Sequence, residues 1–220
     1  MLIGSDGGVD FDWRDYAARL DKSRSPRTDV KFLLASILQV SSTHIRHRVT
    51  LTEPQFQEFE QCYARLQLGE PLAYILGSWS FWGLTLKLNK HTLIPRADTE
   101  CLVEAVLREY GDDSVLDVVD CGTGSGAIAL ALAHERPRWK ILGIDSSGDC
   151  ISCAEENRQS LGIPESTLSW CQGSWEVLPD LGRRFEVVVA NPPYIDKDDT
   201  AIDQQVFAFE PHAALFAENE

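Results

Sequence analysis

The sequence predicts an α/β protein in which a parallel sheet follows a small helical region and a β-hairpin. Up to about residue 70, apolar residues recur at helical spacing; from about residue 93, strand and helix patterns alternate. Such alternation implies a parallel sheet with helices on both faces. We expect a helical domain over residues 1–74, a β-hairpin linker over 75–96 and an α/β domain over 97–220.

The N-terminal region has helix-start signals. Ser25 and Pro26 resemble the cap and the first turn of a helix. Thr52 is followed three residues later by Gln55, a capping-box pattern that predicts the start of another helix. We therefore expect a small helical bundle over about residues 10–70.

Residues 79–88 predict a β-hairpin, because Gly83 interrupts a run of aromatic and β-favouring residues and Leu84, Leu86 and Leu88 then alternate with polar residues.

The α/β region contains four strand patterns separated by helix patterns. The strands are expected over residues 114–120, 140–145, 167–171 and 185–190, and the helices over 99–110, 125–135 and from beyond 145 to about 161.

Charge is unevenly distributed along the chain. The net charge is -14, and residues 97–220 carry 8 Lys or Arg against 24 Asp or Glu. An acidic surface repels phosphate backbones, so we expect no direct nucleic-acid partner.

No apolar run approaches the ~20 residues of a membrane helix, and the first ten residues do not resemble a secretory signal. These features predict a cytoplasmic protein without a membrane partner.

A glycine-rich turn follows the predicted strand that ends at Asp120. It contains Gly122, Thr123, Gly124, Ser125 and Gly126. Glycines there let the backbone approach a ligand closely. Asp145 ends the next strand and is placed to accept the hydroxyls of a ribose. The combination predicts an adenosine-type cofactor and leaves NAD, FAD and S-adenosylmethionine open.

The last predicted strand ends in Asn191, Pro192, Pro193 and Tyr194. Two prolines remove two backbone donors and leave the preceding carbonyls free to accept hydrogen bonds, and Asn191 adds a side-chain acceptor. Together these groups can hold both hydrogens of a planar amino group, and Tyr194 can stack on a flat conjugated group. The turn therefore predicts methylation of a weakly nucleophilic nitrogen, in a side-chain amide or in adenine.

Cys150 and Cys153 form a C-x-x-C pair, but no second pair completes a metal site. We interpret both as small residues of a helix and expect no metal.

Further motifs stand beside the two turns, in an order that spans nearly the whole chain: Gly69-Glu70-Pro71, Phe81-Trp82-Gly83, Leu93-Ile94-Pro95-Arg96, Thr99-Glu100 and Phe209-Glu210-Pro211. With the glycine turn and the Asn-Pro-Pro-Tyr turn, they make the chain resemble the peptide chain release factor glutamine methyltransferases. The resemblance implies methyl transfer from S-adenosylmethionine to the amide nitrogen of the glutamine in the Gly-Gly-Gln loop of release factors. It also implies that the helical domain docks the release factor, and we expect a monomer.

The resemblance also implies roles for individual residues. Gly122, Thr123, Gly124, Ser125 and Gly126 would contact S-adenosylmethionine, Asp145 its ribose, and Trp175 its adenine, with Asn191 also at the cofactor. Asn191, Pro192 and Tyr194 would be catalytic, and Asn191, Pro192, Pro193 and Tyr194 would hold the substrate glutamine. The family's acidic residue before the position of Trp175 is Ser174 here, which removes one acceptor.

The implied fold is a class I S-adenosylmethionine-dependent methyltransferase, Rossmann-like, with seven strands. Only four are visible before Glu220. We therefore expect a C-terminally incomplete domain with an unpaired edge at the strand that presents Asn191.

Three alternatives stay open at this point. They are methylation of a ribosomal-protein glutamine, methylation of adenine N6 in DNA, and an inactive, truncated chain that retains its cofactor motifs.

Overall fold

The computed structural model describes residues 2–3, 8–21, 25–111, 114–199 and 201–217. The chain divides into two compact units, Met1–Leu76 and Gly77–Glu220. The predicted division into a helical domain, a hairpin linker and an α/β domain stays a prediction.

The first unit combines helices with a small antiparallel sheet of order β1-β2-β3, which the sequence analysis did not predict. Its strands have two to four residues, too short for a clear alternating pattern. The elements are β1 (Leu2–Ile3), β2 (Val9–Asp12), α1 (Trp13–Ala17), α2 (Pro26–Leu38), a 3-10 turn (Ser42–His44), β3 (Arg48–Leu51), α3 (Glu53–Gln67) and α4 (Leu72–Leu76).

The helix starts of the first unit are as predicted, with one difference. The capping box is confirmed: the Thr52 hydroxyl accepts from the Gln55 amide, and the Gln55 side chain accepts from the Thr52 amide. Helix α2 begins at Pro26, but the Ser25 side chain makes no capping hydrogen bond.

The second unit begins with the predicted hairpin and continues with alternating strands and helices. Its elements are β4 (Ser78–Phe81), β5 (Leu84–Lys87), a 3-10 turn (Ala97–Thr99), α5 (Glu100–Glu109), β6 (Asp117–Cys121), α6 (Ala127–Glu135), β7 (Lys140–Asp145), α7 (Gly148–Ser160), β8 (Leu168–Gln172), a 3-10 helix (Trp175–Leu181), β9 (Val187–Ala190), α8 (Gln204–Phe209) and α9 (His212–Leu215).

The main sheet is parallel throughout and has the strand order β8-β7-β6-β9. All four predicted strands are confirmed, although β6 starts three residues later and β9 two residues later than predicted. Helix α6 starts two residues later, because Gly126 takes a left-handed conformation and ends the turn.

The hairpin contributes to the core on one face of this sheet. Phe81, Leu84 and Leu86 are buried in the cluster that contains the apolar residues of α6. At the tip of the hairpin, the Trp82 amide donates to the Glu100 carboxylate at 2.7 Å, which fixes the turn on the start of α5. Two of the sequence motifs, residues 81–83 and 99–100, therefore meet in space.

Strand β9 ends the strand order of the main sheet within the described residues. Among the described residues, the side of β9 away from β6 therefore pairs with no other strand of this sheet, in agreement with the unpaired edge that the strand count predicted. Among the described residues, no helix is long and apolar enough to span a membrane.

Candidate active site

Four parallel strands bring the predicted site segments to one edge of the sheet. The glycine loop (residues 122–126) follows β6, and Asp145 is the last residue of β7. Trp175 comes shortly after β8, and the Asn-Pro-Pro-Tyr turn (residues 191–194) follows β9. Because parallel strands have their carboxyl ends at the same edge, all four segments lie there.

Backbone hydrogen bonds hold the start of the glycine loop in place, and space remains beside two of its glycines. The amides of Gly122 and Thr123 both donate to the Ile144 carbonyl, at 2.8 and 2.9 Å. Gly122 and Gly124 have φ of 76° and 57°, and an added Cβ at either would meet no atom within 4 Å. The loop thus leaves room for a ligand to approach its backbone.

Asp145 is tied directly to the glycine loop. One carboxylate oxygen accepts from the Gly124 amide at 2.8 Å, and the other accepts from the Ser147 amide at 2.9 Å. A carboxylate has about four acceptor positions, and Asp145 is partly exposed, so it retains capacity for the hydroxyls of a ligand.

Asp120 lies fully buried beneath the loop. Its Oδ2 accepts from the Thr123 hydroxyl at 2.6 Å and from the Ala129 amide at 3.3 Å, whereas its Oδ1 has no hydrogen-bond partner among the described residues. Burial raises the pKa of Asp120 to about 6, and the bond from Thr123 partly offsets this. Asp120 therefore orients the loop from inside.

The raised pKa of Asp120 predicts a pH dependence of stability. The folded protein binds this proton more tightly than the unfolded chain, whose carboxyl has a pKa near 3.8. The stabilisation that comes from this protonated carboxyl is fully present below pH 3.8, and it is lost as the pH rises through about 6. We expect Asp120→Asn to remove this contribution, so that the difference in free energy of unfolding between variant and wild type changes across this window. Urea titrations of both proteins at several pH values measure it; a constant difference contradicts the prediction.

The Asn-Pro-Pro-Tyr turn lies beside the glycine loop. Strand β9 pairs with β6 so that Ala190 is opposite Cys121, and Asn191 and Gly122 are therefore the first residues after the ends of these two neighbouring strands. Asn191 and Pro193 are partly buried, and Tyr194 is 79% exposed. The turn thus presents an amide acceptor beside an exposed aromatic ring.

Trp175 begins the 3-10 helix and is 53% exposed. Val177 and Leu178 of this helix pack on the second face of the sheet. The Ser174 hydroxyl accepts from the Glu176 amide, so Ser174 caps the 3-10 helix. An exposed indole therefore lies at the same edge as Asp145.

Asn157 supports the glycine loop and was not singled out from the sequence. It is completely buried on α7, where its Nδ2 donates to the carbonyls of Ser125 and Lys87, and its Oδ1 accepts from the Lys87 amide. The sequence offered one signal for this role, a polar residue on the buried face of a predicted helix.

Cys150 and Cys153 lie on the same helix as predicted, and both thiols donate to backbone carbonyls of residues 87–91.

The groups that line this edge of the sheet fit an adenosine-type cofactor. They combine an open backbone loop, a partly exposed carboxylate bonded to that loop and an exposed aromatic ring at one sheet edge. Within the described residues, no cluster of His, Cys, Asp or Glu is arranged to hold a metal ion.

Comparison with known proteins gives two family matches that together span most of the chain. Residues 13–77 match the PrmC N-terminal domain, and residues 112–215 match a methyltransferase domain.

Curated relatives match over nearly the whole chain. The release factor glutamine methyltransferase of Escherichia coli is 39% identical over 206 residues, covering 93% of this chain and 73% of that protein. The proteins of that name from Pasteurella multocida and Vibrio cholerae are 37% and 41% identical, covering 95% and 89% of this chain and 77% and 68% of theirs.

Proposed function

The chain belongs to the release factor glutamine methyltransferase family, and on that premise we propose its substrate and the roles of its site residues. It is an S-adenosylmethionine-dependent methyltransferase that modifies a glutamine side-chain amide. We propose that this glutamine is the one in the Gly-Gly-Gln loop of a peptide chain release factor, so that methylation modulates translation termination. The pairing of β9 with β6, which sets Asn191 beside the glycine loop, carries the proposal.

We assign the cofactor to the glycine loop, Asp145 and Trp175. The backbone of residues 122–126 would bind the cofactor closely, Asp145 would accept its ribose hydroxyls, and Trp175 would stack near its adenine. Asn191 would border the same site. When bound, S-adenosylmethionine supplies an electrophilic methyl group on a sulfonium centre.

The substrate glutamine would be held by Asn191, Pro192, Pro193 and Tyr194. The Asn191 side-chain oxygen and a backbone carbonyl before a proline accept the two amide hydrogens, which draws electron density onto the nitrogen and aims its lone pair. Tyr194 stacks on the flat amide. In the transfer, the bond from the nitrogen to the methyl carbon would form as the carbon–sulfur bond breaks, and the nitrogen would then release one proton to solvent. No strong base is needed, because positioning and electrostatics supply most of the rate.

Methyl transfer to purified substrates tests this proposal. The chain is incubated with S-adenosylmethionine and a release factor, and mass spectrometry locates the added methyl group. We expect one methyl on the glutamine of the Gly-Gly-Gln peptide. Methylation of a ribosomal-protein glutamine or of DNA adenine instead would overturn the substrate assignment. No S-adenosylmethionine binding in calorimetry, together with no cooperative thermal unfolding, would indicate an inactive chain.

The relatives' names favour neither the ribosomal nor the DNA substrate. The acidity of residues 97–220 also disfavours DNA. The proposal has four further parts. The N-terminal domain docks the release factor, the protein is a monomer, it is located in the cytoplasm, and it has no nucleic-acid partner.

The cofactor assignment predicts the effect of Asp145→Ala. The variant lacks the carboxylate that accepts from the Gly124 amide and would accept from the ribose hydroxyls, so we expect affinity for S-adenosylmethionine to fall about 10- to 100-fold. Asp149→Ala, which removes an exposed carboxylate of the same region, should bind normally. Isothermal titration calorimetry measures both, and equal affinities for the two variants would refute the role of Asp145.

A further inference from the structure

A buried carboxylate joins two sequence motifs far from each other in the chain. The Glu210 side chain is 1% exposed. One of its oxygens accepts from Arg96 Nη2 at 2.5 Å, and the other accepts from the Ile94 amide at 3.3 Å. These contacts cross 114 and 116 residues of sequence. Because a buried charge is costly unless it is paired, Glu210 fixes its segment firmly to residues 94–96.

The segment that Glu210 anchors also holds the chain directly after the Asn-Pro-Pro-Tyr turn. The Ile195 amide donates to the Leu215 carbonyl at 3.0 Å, and the Ala217 amide donates to the Ile195 carbonyl at 3.0 Å. Ile195 and Phe216 form a parallel bridge. Leu215 and Phe216 are themselves buried.

The turn is therefore held at both ends. On one side, β9 pairs with β6 up to Ala190. On the other side, Ile195 is bonded to the end of α9, which begins two residues after Glu210. Two fixed ends restrict the backbone of residues 191–194 and hence the direction of the carbonyls that precede the prolines.

We propose that Glu210 and Arg96 are positioning residues that orient the Asn-Pro-Pro-Tyr turn through α9 and Ile195. The inference rests on the proposed function of that turn as the amide-binding site. Glu210 bonds to residues 94–96 rather than to the turn itself, so its effect passes through the C-terminal segment. Loosening this anchor should disturb the alignment of a bound amide more than the binding of the cofactor at the glycine loop.

Two variants of the ion pair test the proposal. We expect Glu210→Gln and Arg96→Met to lower kcat for glutamine methylation about 10- to 100-fold, since small misplacements of reacting groups have effects of this size. The KM for the release factor and the affinity for S-adenosylmethionine should change less than about threefold. Arg96→Lys, which keeps the positive charge at the more exposed end of the pair, should retain more of kcat than Arg96→Met.

Hydrogen exchange gives a readout that does not depend on activity. The amides of Ile195 and Ala217 should lose protection in Glu210→Gln and Arg96→Met, while amides in β6 and β7 keep theirs. The matched control is Arg183→Met. It breaks the ion pair of Arg183 Nη2 with Asp117 Oδ1, which are 2.7 Å apart at the opposite end of β6. It should leave both kcat and the protection of Ile195 unchanged.

Unchanged protection of Ile195 and Ala217 in the folded Arg96→Met variant would overturn the proposal, as would an equal fall of kcat in Arg183→Met. If the wild-type chain transferred no methyl group to glutamine, the proposed function would fail, and the exchange data would still decide whether the ion pair anchors the turn. If Glu210→Gln fails to fold, the comparison of Arg96→Met with Arg96→Lys decides.

Discussion

Asn191→Ala is expected to lower kcat for glutamine methylation by about 10²- to 10³-fold, a size typical of removing one preorganised polar group from an active site. The side chain supplies an acceptor for an amide hydrogen, and water in its place is neither fixed nor directed. Steady-state methylation of a release factor measures the effect, with thermal unfolding as the check on folding. Asn191 is partly buried at the sheet edge, so the fold should survive the change.

Asn191→Asp is the matched control for this prediction. It preserves an acceptor oxygen of the same reach, while the amide donor is replaced by a second acceptor oxygen and a negative charge is added. If the acceptor matters, this variant should retain more activity than Asn191→Ala. Wild-type kcat in a folded Asn191→Ala protein would remove the substrate-holding role from this residue.

Gly143→Ala is expected to lower the free energy of unfolding by about 2–3 kcal/mol, at the upper end for overpacking in a core. Gly143 in β7 is paired with Trp170 in β8, and an added Cβ would lie 2.4 Å from the Trp170 ring and 2.9 Å from the Thr123 hydroxyl. The ring cannot easily move away, because Trp170 Nε1 donates to Glu155, which is itself paired with Arg158. Urea denaturation measures the loss.

Two further variants show whether the indole causes this loss. Gly111→Ala adds a methyl group where no atom lies within 4 Å, and it should change stability by less than about 0.5 kcal/mol. In a Trp170→Leu background, Gly143→Ala should cost less than in the wild type. An equal cost in both backgrounds would mean that the ring does not account for the need for glycine at position 143.

The order of strands and helices in the second unit was predictable because its signals are local. Strands β7 and β9 contain short apolar runs, and the glycine turn follows directly on β6. The edge position of Asp145 and Asn191 follows from parallel strand direction alone. The family resemblance, built on motif order, was confirmed by the curated relatives. Residues 1–76 were harder, because the three short strands pair across the chain and carry little pattern of their own.

The sequence by itself determined the class of fold, the helix starts such as the capping box at Thr52, and the segments that make up the site. These depend on periodicity, turn chemistry and strand direction, all of which act between near neighbours. Only the tertiary structure decided which distant residues support the site: Asn157 beneath the glycine loop, and Glu210 with Arg96 behind the Asn-Pro-Pro-Tyr turn. Such contacts depend on how elements that are 32 to 114 residues apart in the chain pack together, and no local pattern encodes that geometry.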